Sequence, residues 1–381
     1  MKKEVEKTKE EHVTPWSVEG AIDYERLIQQ FGTQKLSPEI KKELSENILV
    51  RRGFYYSHRN FDKAFREQKE GKSFFLYTGR APSGPMHIGH LFSFMITKFL
   101  QDKYDVNVYI QIPDEEKFFV KQDLSLKDVD HWVDDNMREI IALGFDPDKT
   151  FIFTNREYVR HMYTKACEIA KKINLSKAKA VFGFDNQTNI GLIFYPAMQM
   201  VPTFFEKGMC VIPAGIDQDP YWRIQRDLAE SIGGRKASQL HSKFFPPLQG
   251  VDGKMSTRGN SDGTLFLSDT ADIVKKKINK FAFSGGQATL EEHRKKGGNT
   301  SIDVSFQWLS IFFEQDDKKL EKMKKEYESG KMTSGELKGV LIEKLNSFLK
   351  HHQEEKEKAK SKIQTFMHTG KLAKEMWNKN F

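Results

Sequence analysis

The chain has 381 residues and a formal net charge of +8, with a pI near 9.1. That length holds two domains, or one large domain with an appendage, and the positive balance fits a polyanionic partner without requiring one. The two cysteines, Cys167 and Cys210, are too few for a disulfide framework or a zinc site, so a reducing cytoplasm is the expected setting. No apolar signal core opens the sequence, and its longest uncharged run, about 187–205, is interrupted by Pro196 and Pro202, which excludes a membrane span there.

Residues 1–12 are Lys/Glu-rich and read as a disordered tail, whereas 13–16 and 22–31 read as ordered. The basic and aromatic stretch 51–60 leads into a short helix. The run 74–77 (Phe-Phe-Leu-Tyr) has the pattern of a buried strand, stopped by the Gly, Pro and Ser of 78–85. Met86-His87-Ile88-Gly89-His90 comes next and opens a helix whose apolar stripe is Ile88, Leu91, Phe92, Met95, Ile96, Phe99 and Leu100. This puts His87 and His90 at a helix start, where unpaired N–H groups and the dipole suit a phosphate. Two histidines three apart are common by chance. The ordered succession of turn glycines, Pro85, histidine pair and patterned helix favours an ATP-binding nucleotidyl transferase over a structural helix. The Gly-x-Gly-x-x-Gly dinucleotide fingerprint is not there, so NAD is not expected.

Further strands are predicted over 106–112, 150–153, 210–214 and 239–244, alternating with helices over 128–143, 156–173, a shorter one after 176, and 221–232. This alternation predicts an α/β, doubly wound Rossmann-type parallel sheet, whose ligands bind at the carboxyl ends of the strands. Beyond about 270 the pattern is helical and basic. The lysines 275, 276, 277 and 280 form either a solvated helix face or an RNA-contacting one. The loop 250–258 sets Lys254 between glycines. Taken alone it is an ordinary surface loop, although a hinged lysine there could neutralise a leaving pyrophosphate.

The His87-Ile88-Gly89-His90 stretch, with Lys254-Met255-Ser256-Thr257-Arg258 downstream, resembles the two signatures of class I aminoacyl-tRNA synthetases. The resemblance extends over nearly the whole chain to the eukaryotic-type tryptophanyl-tRNA synthetases, through Val13-Thr14-Pro15-Trp16, Tyr77-Thr78-Gly79-Arg80, Ile110-Gln111-Ile112, Asp114-Glu115-Glu116-Lys117, Ile216-Asp217-Gln218-Asp219-Pro220-Tyr221, the stretch 244–250 and Ala282-Phe283-Ser284-Gly285-Gly286. Thr257 stands where the general class I loop has its second lysine, a lysine that the eukaryotic tryptophanyl branch also lacks. Arg258 is unusual at the last place.

The resemblance implies the activity of a tryptophan–tRNA ligase, which activates L-tryptophan with ATP and Mg2+ and transfers it to the 3'-terminal adenosine of tRNA(Trp), as a cytoplasmic homodimer with no membrane association. It implies His87, His90, Lys254 and Ser256 as the catalytic residues, and ATP binding by these together with Arg80, Gly84, Met86, Gly89 and Met255. By the same likeness Tyr77 and Gln111 read the indole N–H, Glu116 and Gln218 hold the α-ammonium group, and Gln249 contacts the amino acid. No side-chain metal site is assigned, although Asp114 and Asp217 are candidate helpers for Mg2+. The domain plan implied is an extension over the active site (13–60), a Rossmann catalytic domain (61–258) with a connective insertion at about 117–210 meeting the tRNA acceptor end and building the dimer contact, an α-helical anticodon-binding domain (259–355), and a C-terminal helix returning to the catalytic domain (356–381). The competing readings are the sister tyrosyl-tRNA synthetase, a small-molecule adenylyltransferase, and a catalytically inactive RNA-binding paralogue.

Overall fold

Alternate residues of five short strands point into two different apolar layers, and this alternation builds the molecule. The computed structural model describes residues 22–255 and 261–379, together with the backbone of a hairpin made by β1 (His12–Val13) and β2 (Val18–Glu19). The main sheet has seven strands: β3 (Gln34–Lys35), β4 (Tyr55–Arg59), β5 (Phe75–Gly79), β6 (Val108–Ile112), β7 (Thr150–Thr154), β8 (Cys210–Gly215) and β9 (Ser238–Ser242), in the order β3-β4-β9-β8-β5-β6-β7. The five strands from β9 to β7 are parallel, and β4 and β3 extend the β9 edge antiparallel. The chain steps outward from β5 through β6 to β7, then returns to the other side of β5 for β8 and β9. The order therefore reverses between β5 and β8, and a ligand crevice opens at the carboxyl ends of these two strands.

Every residue of β6, β7 and β9 is buried, as befits parallel strands covered on both faces. On one face Leu76, Val108, Ile110, Ile152, Val211 and Leu240 meet the helix Leu91–Tyr104. That layer continues into the helical part of the chain, where Trp308, Leu341 and Leu345 belong to the same apolar cluster. On the other face Phe75, Tyr77, Tyr109, Phe151 and Phe153 are covered by the helices Asn155–Lys171, Ile190–Met200 and Asp219–Leu228. The last helix, Lys371–Trp377, lies against β7: Leu372, Ala373 and Met376 join this second layer, and the Tyr158 hydroxyl donates to the Met376 carbonyl at 2.8 Å.

Beyond β9 the described residues are helical, led by Ala271–Phe281, Asp317–Glu328 and the long Ser334–Ala359, whose start is fixed by the reciprocal Thr333–Glu336 cap. All five predicted strands are present. The stretch 51–60 leads into the short helix Phe61–Lys69 as expected, but Tyr55–Arg59 within it was not predicted to be regular structure. It is a strand, and its polar side chains Ser57 and His58 are buried between β3 and β9, so no apolar alternation marked it. No helix among the described residues is long and apolar enough to cross a membrane.

Candidate active site

At the strand switch lies a cavity of about 310 Å³, within the size range of small-molecule sites. It is lined by the ends of β5 and β8, the histidine turn, the helix Ile190–Met200 and the lysine loop.

One end of the cavity is a buried polar pocket. Tyr77 and Gln111 project from the same sheet face, and Gly79 pairs with Gln111 across β5 and β6. A side chain on Gly79 would place its Cβ 2.8 Å from the Gln111 carbonyl oxygen, so only glycine lets the strands approach here. The Tyr77 hydroxyl hydrogen-bonds Gln111 Oε1 and lies 3.0 Å from the Gln199 carbonyl. Burial raises the Tyr77 pKa well above the ordinary phenol value, which keeps the hydroxyl protonated. Gln111 Nε2 donates to Asn155 Oδ1 at 2.7 Å, and Asn155 Nδ2 donates to Glu115 Oε1 at 2.7 Å. The Trp222 ring stands edge-on to Tyr77 at 5.7 Å, its Nε1 buried without a hydrogen-bond partner. Nearby, Glu116 accepts from the Tyr195 hydroxyl at 3.0 Å and is paired with Lys117. Gln218, just beyond β8, completes this wall.

The other end gathers donors. Arg80, His87, Gly89, His90, Lys254 and Met255 all line it. The two imidazoles stack at 3.4 Å, and the His87 backbone N–H donates to His90 Nδ1 at 3.1 Å, which leaves the His90 ring proton on Nε2. Burial, reinforced by the charges of Arg80 and Lys254, lowers the His87 pKa to about 3. Burial first, then the same cations and His87, holds His90 well below the ordinary value. Both rings are neutral near pH 7 and serve as hydrogen-bond donors rather than as cations. Arg80 is lowered by burial to about 10 and stays charged, and its Nε is buried without a partner. Lys254 Nζ is paired with Asp217 Oδ2 at 2.7 Å.

The expected residues divide accordingly. Tyr77, Arg80, His87, Gly89, His90, Gln111, Glu116, Gln218, Lys254 and Met255 share the cavity. Gly84, Met86 and Gln249 stand outside its lining. Met86 is fully buried, with its carbonyl accepting from the Leu267 N–H, and the Gly84 carbonyl accepts from Asn136 Nδ2. Gln249 is exposed, its amide lying over Gly263. Ser256 lies outside the described residues. Asp114 is spent on Arg156, which it meets at 3.0 Å through the backbone N–H and at 2.7 Å through Nε, so it is not free to help a cation. Tyr195, Gln199 and Trp222 were not foreseen, because helices distant in sequence bring them to the sheet edge.

Comparison with known proteins agrees with this geometry. Residues 69–350 match the family model of tRNA synthetases class I (W and Y). The chain is 53% identical over 374 residues to a tryptophan–tRNA ligase of Sulfurisphaera tokodaii, covering 97% of this chain and 98% of that one. It is 54% identical over 375 residues to the Pyrococcus furiosus ligase, covering 96% of each. The chain belongs to the class I tryptophan–tRNA ligases. The crystal structure of the Plasmodium falciparum tryptophanyl-tRNA synthetase superposes with a TM-score of 0.86 at 38% identity, over 92% of this chain and 99% of that one. Both of these ligase relatives are archaeal, so these likenesses establish the family and not the narrower eukaryotic type. Membership implies use of ATP.

Proposed function

We propose that the two ends of the cavity divide the substrates of tryptophan activation. The tryptophan carboxylate, already ionised, is the nucleophile. It attacks the α-phosphorus of ATP, pyrophosphate leaves, and tryptophanyl-adenylate remains for transfer to the 3'-terminal adenosine of tRNA(Trp). No nucleophilic side chain is required, so the protein contributes positioning and charge stabilisation. Tyr77 and Gln111 accept from the indole N–H, and Glu116 with Gln218 holds the α-ammonium. Arg80, His90 and, once it leaves Asp217, Lys254 donate to the phosphates, with Gly89 leaving room for the nucleoside. The observation that carries this reading is the continuity of a buried Tyr77–Gln111 pocket with a cluster of neutral imidazole and cationic donors in one cavity. A pocket with unpaired acceptors rejects phenylalanine strongly, because the missing N–H leaves buried polar atoms unsatisfied.

Mg2+ enters with ATP on its phosphate oxygens in this proposal. Among the described residues no group of three or more His, Cys, Asp or Glu side chains is placed to hold a metal ion, and no step is assigned to a protein-bound one. The insertion 117–210 supplies the homodimer contact. Its exposed apolar side chains Val159, Tyr163, Leu175 and Ile190, the last 84% exposed, support that assignment. Of the segment 13–60, whose residues 14–17, 20 and 21 lie outside the described ones, the part 22–60 covers the active site; the basic helical region 261–355 holds the anticodon, residues 356–379 return to the catalytic domain, and the enzyme is cytoplasmic.

Amino-acid-dependent ATP–pyrophosphate exchange without tRNA tests the reading, with tryptophan and tyrosine run in parallel. Exchange with tryptophan alone is expected. Exchange with tyrosine would assign the pocket to a phenol and remove Gln111 from its role.

A further inference from the structure

The hydrogen-bond chain behind Gln111 has a direction, and that direction decides what Gln111 presents to the cavity. A carboxylate only accepts, whereas a side-chain amide accepts at one end and donates at the other. The Glu115 carboxylate therefore obliges Asn155 to turn its amino group outward, and Asn155 Nδ2 meets Glu115 Oε1 at 2.7 Å. Asn155 Oδ1 then faces Gln111 and accepts from its Nε2 at 2.7 Å. The Met198 carbonyl, 3.4 Å from the same Nε2, favours the same orientation. Gln111 Oε1, an acceptor, is left for Tyr77 and the cavity.

We propose that Glu115 and Asn155, neither of which lines the cavity, form a polarity relay that holds the Gln111 amide with its oxygen toward the indole N–H. Both are positioning residues, and the inference rests on the reading of Tyr77 and Gln111 as the indole readers. A neutral carboxyl at position 115 can donate to Asn155. Both amides are then free to reverse, and Gln111 turns a donor toward a donor.

The surroundings of Glu115 make its charge state consequential. Its Oε2 is buried without a hydrogen-bond partner. Asp114 and Glu116 flank it. Arg156 holds Asp114 and also reaches Asp130, while Lys117 and the Tyr195 hydroxyl hold Glu116. Burial is the main cause, and the flanking carboxylates a lesser one, of a Glu115 pKa raised to about 7. The relay is enforced above that value and released below it.

The test is tryptophan-dependent pyrophosphate exchange between about pH 6 and 8.5, with separate KM values for tryptophan and ATP. In the wild type the KM for tryptophan rises toward acid while the KM for ATP stays level. Glu115→Gln removes the end that can only accept, so only part of the population keeps the binding orientation and its KM for tryptophan is raised about two- to threefold at every pH, with kcat and the KM for ATP retained. Adding Asn155→Asp restores the low KM at every pH, because a carboxylate at position 155 accepts from both neighbours. Asn155→Asp alone keeps the low KM and loses its rise toward acid, which covers the case of a poorly folded double variant. An unchanged KM in Glu115→Gln overturns the relay, as does a raised KM that Asn155→Asp fails to restore. Gln111→Ala separates the two levels. If it leaves the KM for tryptophan unchanged, the indole-reader assignment falls and the relay with it. If it raises that KM while Glu115→Gln does not, the relay alone falls.

Discussion

Lys254 Nζ lies 2.7 Å from Asp217 Oδ2, so the lysine of the glycine-hinged loop is docked on a buried carboxylate at the end of β8. The lysine side chain is about half exposed, so water and ligand reach it while its carboxylate partner stays buried. A triphosphate can therefore draw Lys254 away. Lys254→Ala is expected to lower the kcat of pyrophosphate exchange roughly 10²–10³-fold, with the KM for tryptophan unchanged. Asp217→Asn should lower the KM for ATP a few-fold by releasing the lysine. A raised KM would instead assign Asp217 to ATP itself.

The buried histidines give stability a defined dependence on pH. Burial first, and then neighbouring cations, lowers the pKa of His87 and of His241 to about 3. Their folded pKa values lie below the unfolded value, so below about pH 6.5 the unfolded chain binds protons that the folded chain refuses. Stability is complete above that pH and is lost as pH falls toward 3. For the fully buried His241 the loss at pH 5 is roughly 2 kcal/mol. Thermal unfolding at pH 7 and pH 5 measures it. His241→Gln should narrow the gap between the two midpoints, and an unchanged gap would remove His241 from the account.

Gly79 sets the spacing on which the Tyr77–Gln111 pocket depends. Gly79→Ala would drive a Cβ to within 2.8 Å of a backbone oxygen on the neighbouring strand, and backbone cannot swing aside. The expected result is a stability loss of about 1–3 kcal/mol together with a raised KM for tryptophan, because Gln111 moves with its strand. A variant that unfolds like the wild type and binds tryptophan normally would show that the strands part without cost.

The helical region is tied to the catalytic sheet by a buried carboxylate. Glu139, on the helix Leu126–Ile141, meets His352 at 2.6 Å and Lys356 at 2.6 Å, both on Ser334–Ala359. Glu139→Ala leaves His352 buried without its partner while Lys356 keeps Asp135 at 2.7 Å, so a loss of about 1–3 kcal/mol is expected. The measurement is the denaturant midpoint. A change in the slope of the transition rather than its midpoint would mean that the two regions had come to unfold separately.

The parallel strands and the donor cluster were legible because each rests on local pattern. Strands β5, β6 and β8 are largely apolar runs stopped by glycine or proline, and His87, His90 and Lys254 stand in turns whose glycines announce them. The antiparallel edge was hidden, since β3 has two residues and β4 buries Ser57 and His58 through contacts with distant segments. Tyr195, Gln199 and Trp222 gave no local signal, because the cavity exists only once the helices Ile190–Met200 and Asp219–Leu228 cross the sheet edge. Gly84, Met86 and Gln249 mark the opposite limit. Proximity in sequence to a functional turn does not place a residue on the cavity wall: Met86 is packed in the core, Gln249 is turned to solvent, and the Gly84 carbonyl is engaged by Asn136.

The helix Lys371–Trp377 gives the catalytic half an unusual dependence on its own synthesis. The strands of the sheet have all left the ribosome once residue 242 has emerged, yet Phe151, Phe153 and Tyr158 remain uncovered on the β7 side until residue 377 has been added. A nascent chain carries this open aromatic edge through the making of the whole helical region. That is the condition in which partly folded chains associate wrongly. Truncation within the last helix would therefore show first as poor soluble yield, well before any loss in the chemistry of a cavity lying at the other end of the strands.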